Sequence, residues 1–259
     1  MNLSPGVTID AYVIETVLGA GGFGITYRVR DQKLGLRFAL KEFFPSHAAR
    51  RDESGAVVPL PGQEADFRHG LARFLDEGRT LAGLDHPNLA TVVRHFEARG
   101  TAWLLMPFYD GRTLHDLLVS GGLFNPPETA ALLEPLLDAL AYLEGQGVVH
   151  GDIKPANILV QRNGAPVLLD FGAARLADDA GQPGGGTAGS AGYAATEQTR
   201  RVWKIGPWTD LYGLAATLYR LTSGVIPVPS EDRLTALEQG APDPLLPLRK
   251  QHAAGGQAG

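Results

Sequence analysis

The stretch His150-Gly-Asp-Ile-Lys-Pro-Ala-Asn157 gathers a carboxylate, an amine and a carboxamide into one short loop. Asp152 can accept a proton from an attacking hydroxyl. Lys154 can neutralise charge on a phosphoryl group in transfer, and Asn157 can hold a hard cation through its carbonyl oxygen. Val148-Val149 before the loop and Ile158-Leu-Val160 after it read as short β segments, so the loop is expected to be fixed at both ends. A polar cluster held between apolar anchors is what catalysis by positioning requires. The plainer alternative is a surface loop whose His and Asp cap a turn.

Three other stretches carry groups suited to the same chemistry. Val167-Leu-Leu-Asp170-Phe-Gly172 reads as a strand ending in a carboxylate, followed by a glycine hinge. The spacing from Asp152 to Asp170 is that of a β-hairpin, so both carboxylates can reach one cleft. With Asn157, Asp170 supplies oxygen ligands suited to magnesium, although a lone aspartate here is equally well a turn residue. Gly19-Ala-Gly-Gly-Phe-Gly24 lies between two β-favouring runs, Tyr12–Leu18 and Ile25–Val29. A strand, loop and strand differ from the strand, loop and helix of a dinucleotide fingerprint, so this loop is expected to cover phosphates from above. Lys41 ends the apolar strand Leu36–Lys41, where it needs an acidic partner or solvent. A helix through Phe67, Leu71, Phe74, Leu75 and Leu81 offers Glu77, with Glu64, Asp66 and Asp76 as rivals.

Composition bounds the rest. A chain of 259 residues accommodates one large domain or two lobes sharing a cleft. Hydrophobic residues at 44% supply a core, and a net charge of −5 argues against a general binder of nucleic acid or anionic membrane. The chain has no cysteine, so disulfides and thiolate metal sites are excluded and a cytoplasmic setting is expected. The amino terminus carries no basic and apolar leader pattern, and no run is long and apolar enough for a membrane helix.

The elements that must position these groups fall into two sets. Strands at Tyr12–Leu18, Ile25–Val29, Leu36–Lys41, Leu89–Phe96 and Thr101–Met106 give a five-stranded antiparallel sheet with one helix. Residues 45 to 65 read as a long loop with a possible small β segment at Val57-Val58, and His86-Pro-Asn88 ends the helix. Beyond the connector Pro107–Gly111 the pattern is helical: Leu114–Leu118, Pro126–Glu144 and Thr209–Thr222, with a short helix at Leu234–Leu237. Residues 173 to 191 show no periodicity and are expected to be mobile.

In this order the glycine run, Lys41, Glu77, His150-Gly-Asp152, Lys154, Asn157, Asp170-Phe-Gly172 and Gly192-Tyr-Ala-Ala-Thr-Glu197 resemble a eukaryotic-type protein kinase domain. Gly-Gly-Phe-Gly-Ile-Thr-Tyr, and Lys-Glu-Phe-Phe-Pro-Ser after the strand, are most similar to the bacterial serine/threonine kinases. The resemblance runs from about Tyr12 to about Leu248. It implies an α+β, two-lobe fold: a lobe at 1–106, a hinge at 107–111, a mainly helical lobe at 112–248 and a linker or tail at 249–259.

The resemblance also implies roles. Gly19, Gly21, Gly22 and Gly24 would cover the phosphates of ATP, and Lys41 would hold the α- and β-phosphates while paired with Glu77. Leu18, Ala39 and Leu159 would sandwich the adenine, with Met106 as gatekeeper and Phe108 in the hinge. Asp152 would take the proton from a substrate hydroxyl, Lys154 would contact the γ-phosphate and favour Ser/Thr acceptors, and Asn157 and Asp170 would bind Mg²⁺. Leu81, Val92, His150 and Phe171 would stack as a regulatory spine, and Asp210 would hold the catalytic loop from below. The implied partner is a protein carrying Ser or Thr, the chain itself included. A non-catalytic nucleotide-binding scaffold is the alternative function.

Four departures qualify these roles. Thr196 replaces a proline of the family's Ala-Pro-Glu motif, and the loop from Lys41 to the helix is long. The family's last two helices have no counterpart, which implies a missing segment or partner to cover Leu214, Leu218 and Leu221, and leaves Arg249 as a poor substitute for the arginine that Glu197 would pair with. Gly151 replaces the arginine that pairs with an activation-loop phosphate, so switching by that phosphate loses its charge partner. Mutating Thr187 and Ser190 to Ala tests this; Ser190 aligns with the family's substrate-loop hydroxyl, so Thr187→Ala is the cleaner probe and is expected to leave phosphoryl-transfer turnover nearly unchanged. A fall of about a hundredfold, about 2.7 kcal/mol of barrier, would show that the phosphate is needed.

Overall fold

A computed structural model describes residues 2–171, the backbone of 175–176, and residues 190–200 and 204–248. Gly172, Thr187 and Arg249, and most of the segment expected to be mobile, lie outside the described residues. The chain divides into two compact units. One holds the residues up to Asp85 together with Ala90–Tyr109, and the other holds His86–Leu89 and the residues from Asp110 onward.

The first unit is a sheet with one helix. Its strands are β1 (Thr8–Ile9), β2 (Tyr12–Ala20), β3 (Gly24–Asp31), β4 (Arg37–Phe43), β7 (Arg94–Ala98) and β8 (Thr101–Pro107). They lie in the order β1-β2-β3-β4-β8-β7, every neighbouring pair antiparallel. The five expected long strands are thus joined by a two-residue edge strand. The alternation of Tyr12, Ile14, Ile25, Tyr27 and Val29 puts these residues on the buried face. The fourth strand begins later than the periodicity predicts. Leu89, itself part of the second unit, bridges Leu168 there, and the first bond to β8 is Val93 N–H to Leu105 O at 2.8 Å.

Residues 45 to 65 hold more order than expected. Strands β5 (Ala49–Arg51) and β6 (Val57–Pro59) form a small hairpin ahead of α1 (Glu64–Ala82). Phe67, Phe74, Gly78 and Leu81 make the buried stripe of α1. The ring of Phe43 packs against Phe67 at 5.4 Å and Phe74 at 5.6 Å. A Cβ on Gly78 would lie 2.5 Å from Leu104 Cδ2, so the missing side chain is what lets α1 approach β8.

The second unit holds β9 (Gly111–Thr113), α2 (Leu114–Val119), α3 (Pro126–Gly145), β10 (Val148–Val149), β11 (Ile158–Gln161), β12 (Pro166–Leu168), β13 (Arg175–Leu176), α4 (Thr196–Thr199), α5 (Pro207–Ser223) and α6 (Ser230–Glu238). Capping boxes start α2, through Thr113 and Asp116, and α3, through Asn125 and Glu128. Strands β12, β11 and β9 form a small antiparallel sheet. Asn88 closes the outer edge of β12: its Nδ2 donates to Pro166 O at 2.7 Å, and its own carbonyl accepts from Leu168 N at 2.8 Å. The apolar face of α5 differs from the expectation. Leu214 and Leu221 are buried, Leu218 is half-buried, and Trp208 and Leu211 are the large exposed apolar residues. Among the described residues no helix is long and apolar enough to cross a membrane.

Gly78→Val is expected to push α1 off β8 and lower the unfolding free energy by about 1–3 kcal/mol, read by chemical denaturation.

Candidate active site

Lys41 sits in the middle sheet rows, its Cα opposite Thr26 on β3 and Leu104 on β8. Its Nζ donates to Glu77 Oε1 at 2.9 Å, and both side chains are largely shielded from water. Of the acidic rivals on α1, Asp76 pairs with Arg79 of its own helix at 2.6 Å. Helical geometry explains the selection: Glu77 follows Phe74 by three residues and precedes Leu81 by four, so it borders the buried stripe, whereas Asp76 is exposed.

The glycine-rich run forms the turn between β2 and β3, closed by Gly21 N–H to Gly24 O at 2.9 Å. A Cβ added to Gly19, Gly21 or Gly22 would meet no atom within 4 Å, and none of the three has a positive φ. Neither packing nor backbone conformation demands glycine at these positions. The backbone there is open on the side where a side chain would stand. Gly24 differs, because its Cβ would lie 2.7 Å from Glu42 O. Ala39 faces Met106 across the β4–β8 ladder. Leu18 is 46% exposed, and Phe108 carries the Arg28 guanidinium 5.8 Å from its ring centroid.

In the second unit the loop after β10 is held from beneath by one carboxylate. Asp210 on α5, 4% exposed, accepts from His150 N and Gly151 N at 2.8 Å each. Burial pushes its carboxyl above the usual range, while His150 and the two backbone donors act against that shift. Helix α5 comes this close because of Gly213, whose Cβ would lie 2.9 Å from Ile153 O. Gly151 has φ +77°, a conformation that a side chain makes costly. The residue in place of arginine therefore suits the backbone that Asp210 imposes.

The three polar groups of this loop converge. Lys154 Nζ donates to Asp152 Oδ2 at 2.7 Å. Asn157 Nδ2 donates to Asp152 O at 2.8 Å and Asp152 Oδ2 at 3.0 Å. These two bonds fix the carboxamide orientation by engaging Nδ2, and Oδ1 is a hard oxygen of the type that Mg²⁺ takes as a ligand. Ser190 completes the cluster: its hydroxyl donates to Asp152 Oδ1 at 3.1 Å and accepts from Lys154 Nζ at 2.7 Å.

Asp170 does not end a strand as expected. Strand β12 stops at Leu168, and Asp170 lies two residues on, exposed and at φ +57°. Leu169 fixes its place. Leu169 N–H donates to Asn157 O at 2.7 Å, and Leu169 O accepts from His150 Nε2 at 3.0 Å. Asp152 N–H donates to His150 Nδ1 at 3.2 Å, which sets the proton on Nε2. The His150 ring also packs on Phe171 at 4.5 Å. Leu159 lies on β11 between Thr113 and Val167. Leu81 and Val92 are buried in the first unit.

Two residues here carry no warning in sequence spacing. Gln198 Nε2 donates to Gly151 O at 2.6 Å, tying α4 to the loop. Thr209 Oγ1 donates to Glu197 Oε1 at 2.6 Å, giving that glutamate a partner other than the expected arginine.

Comparison with known proteins follows the same lines. The protein kinase domain matches residues 12–245. The chain is 34% identical over 230 residues to the serine/threonine-protein kinase PknJ of Mycobacterium tuberculosis, covering 87% of this chain and 36% of that protein. It is 34% identical over 234 residues to the serine/threonine-protein kinase PkaA of Streptomyces coelicolor, covering 88% of this chain and 41% of that protein. The chain thus spans well under half the length of these relatives. A solved structure titled PpkA-294, apo form, superposes with a TM-score of 0.83 at 33% identity, covering 97% of this chain and 87% of that one.

Gly151→Arg, which restores the family's usual residue, is expected to lower the unfolding free energy by about 1–2 kcal/mol through the positive φ. Equal denaturation midpoints for the variant and wild type would contradict that reading.

Proposed function

Because this chain belongs to the protein kinase domain family, we propose that it transfers the γ-phosphoryl group of ATP to Ser or Thr hydroxyls of proteins, itself included. The observation that supports this reading most directly is the Ser190 hydroxyl seated between Asp152 and Lys154. An alcohol that donates to the Asp152 carboxylate and accepts from the Lys154 ammonium supports reading these two groups as a receptor for a substrate hydroxyl.

In the proposed reaction the acceptor hydroxyl donates its proton to Asp152 as its oxygen attacks the γ-phosphorus. The bond from that phosphorus to the β,γ-bridging oxygen breaks, and ADP leaves. Lys154 lies 2.7 Å from the same carboxylate, close enough to neutralise charge on the phosphoryl oxygens. Lys41, oriented by Glu77, and the open backbone of Gly19, Gly21 and Gly22 are assigned to the nucleotide phosphates. Leu18, Ala39, Met106, Phe108 and Leu159 are assigned to the adenine. Asn157 and Asp170 would hold Mg²⁺, which when bound neutralises charge on the β- and γ-phosphate oxygens. The cytoplasm, which supplies ATP, is the proposed compartment, and the cysteine-free sequence suits it.

The test is transfer of labelled phosphate from ATP and Mg²⁺ to the chain and to a generic basic protein. Asp152→Asn is expected to lower the rate by about a hundredfold or more, the loss of a general base, while nucleotide binding persists. Nucleotide binding by the wild type without transfer would instead identify a scaffold.

A further inference from the structure

The glycine-rich turn is fastened to the segment that follows Lys41. Phe44 N–H donates to Phe23 O and Ser46 N–H to Gly22 O, each at 3.1 Å. The bonds extend the β3–β4 ladder past its last register pair, Gly24 and Phe43, onto the tip of the turn. The Phe23 ring also meets the His47 ring edge-on at 5.6 Å. A turn that carries unpaired backbone carbonyls on one limb is free to swing. Here those carbonyls are occupied by a segment with its own anchorage.

That anchorage is a buried ion pair. Glu42, 0% exposed, accepts from Arg51 Nη1 at 2.8 Å and from Arg51 Nη2. Tyr27 donates its hydroxyl to Glu42 Oε2 at 3.0 Å. Burial and the neighbouring carboxylate push that hydroxyl up to about 12, which keeps it a donor. The Arg51 guanidinium lies 4.8 Å from the Phe44 ring centroid, so one side chain joins the pair to the residue that bonds the turn. Ala48 N–H and Ala49 N–H close back on Pro45 O at 2.9 and 2.8 Å. At the far end Val57 N–H donates to Arg99 O at 2.8 Å. Breaking one partner of such a pair leaves a buried charge, so the network either holds as a whole or fails as a whole.

We propose that residues 44–60 act as an intramolecular brace that fixes the glycine-rich turn in position to receive the phosphates of ATP, with Arg51 as the positioning residue. The proposal rests on the nucleotide reading given above. Arg51 is assigned to neither the nucleotide nor the acceptor. It acts through Phe44 and Ser46 on the carbonyls of Gly22 and Phe23. Its removal should loosen the grip on ATP more than it slows the chemistry on bound substrates.

The double variant Glu42→Gln/Arg51→Met removes both charges together, so no unpaired ion is left in the core. In the nucleotide-free chain the amides of Phe44 and Ser46 are expected to exchange with solvent about tenfold faster or more, while amides of α3 are unchanged. The KM for ATP is expected to rise about three- to tenfold with kcat within about twofold. Arg51→Lys, which keeps one charge contact, should lie between the two. His47→Ala, at an exposed site that does not endanger folding, should raise the KM in the same direction by less. Faster exchange with an unshifted KM overturns the brace, and so does unchanged exchange. Failure of the wild-type chain to bind ATP overturns the nucleotide reading and the brace's role with it. Normal wild-type binding with an unshifted variant overturns the brace alone.

Discussion

The carboxylate of Asp210 is the constraint on which the loop from His150 to Asn157 depends. It is buried in the second unit, and it takes both backbone N–H groups at the start of the loop, those of His150 and Gly151. A buried carboxylate without such donors would be costly, and two buried N–H groups without an acceptor would be costly too. Each satisfies the other, so the loop and α5 are fixed as one piece. From there the order passes through His150, whose ring accepts from Asp152 N–H and donates to Leu169 O. Leu169 also reaches Asn157 O. The positions of Asp152, Asn157 and Asp170 thus trace back to a single buried acid.

The first unit solves a related problem differently. Lys41 is a charge on a sheet, and Glu77 is a charge at the edge of a helix's apolar stripe. Their pairing depends on how α1 lies against β8, and that is set by the missing side chain at Gly78 and by the rings of Phe43, Phe67 and Phe74. The ion pair records the packing more than it drives it. Strands and helix are brought together by apolar area, and the charged groups at the margin take the geometry that results.

Much of this was legible in the residues. Apolar alternation located β2, β3, β4 and β8, and helical spacing located α1, α3 and α5. The loop from His150 to Asn157 was readable because its polar groups are local to one another. The misreadings share a cause. Leu89–Val93 is apolar and suits a strand, but Leu89 is taken by Leu168, about eighty residues away in the chain. Leu214 and Leu221 were expected to be exposed from the shortness of the chain beyond them, whereas packing within the second unit buries both. Residues 45 to 65 read as a loop because their order comes from Arg51 meeting Glu42, not from any periodicity of their own.

Residue types and their spacing determined which functional groups this chain has and which elements they stand on, because hydrophobic period and turn chemistry are local properties. They also fixed the family, since the order of such groups along the chain survives without any coordinates. Only the tertiary structure decided which of four acids meets Lys41, which hydroxyl rests on Asp152, and that Thr209 serves Glu197. Those choices are made by side chains from distant segments competing for one buried donor or acceptor, and the winner is set by packing that no single segment contains.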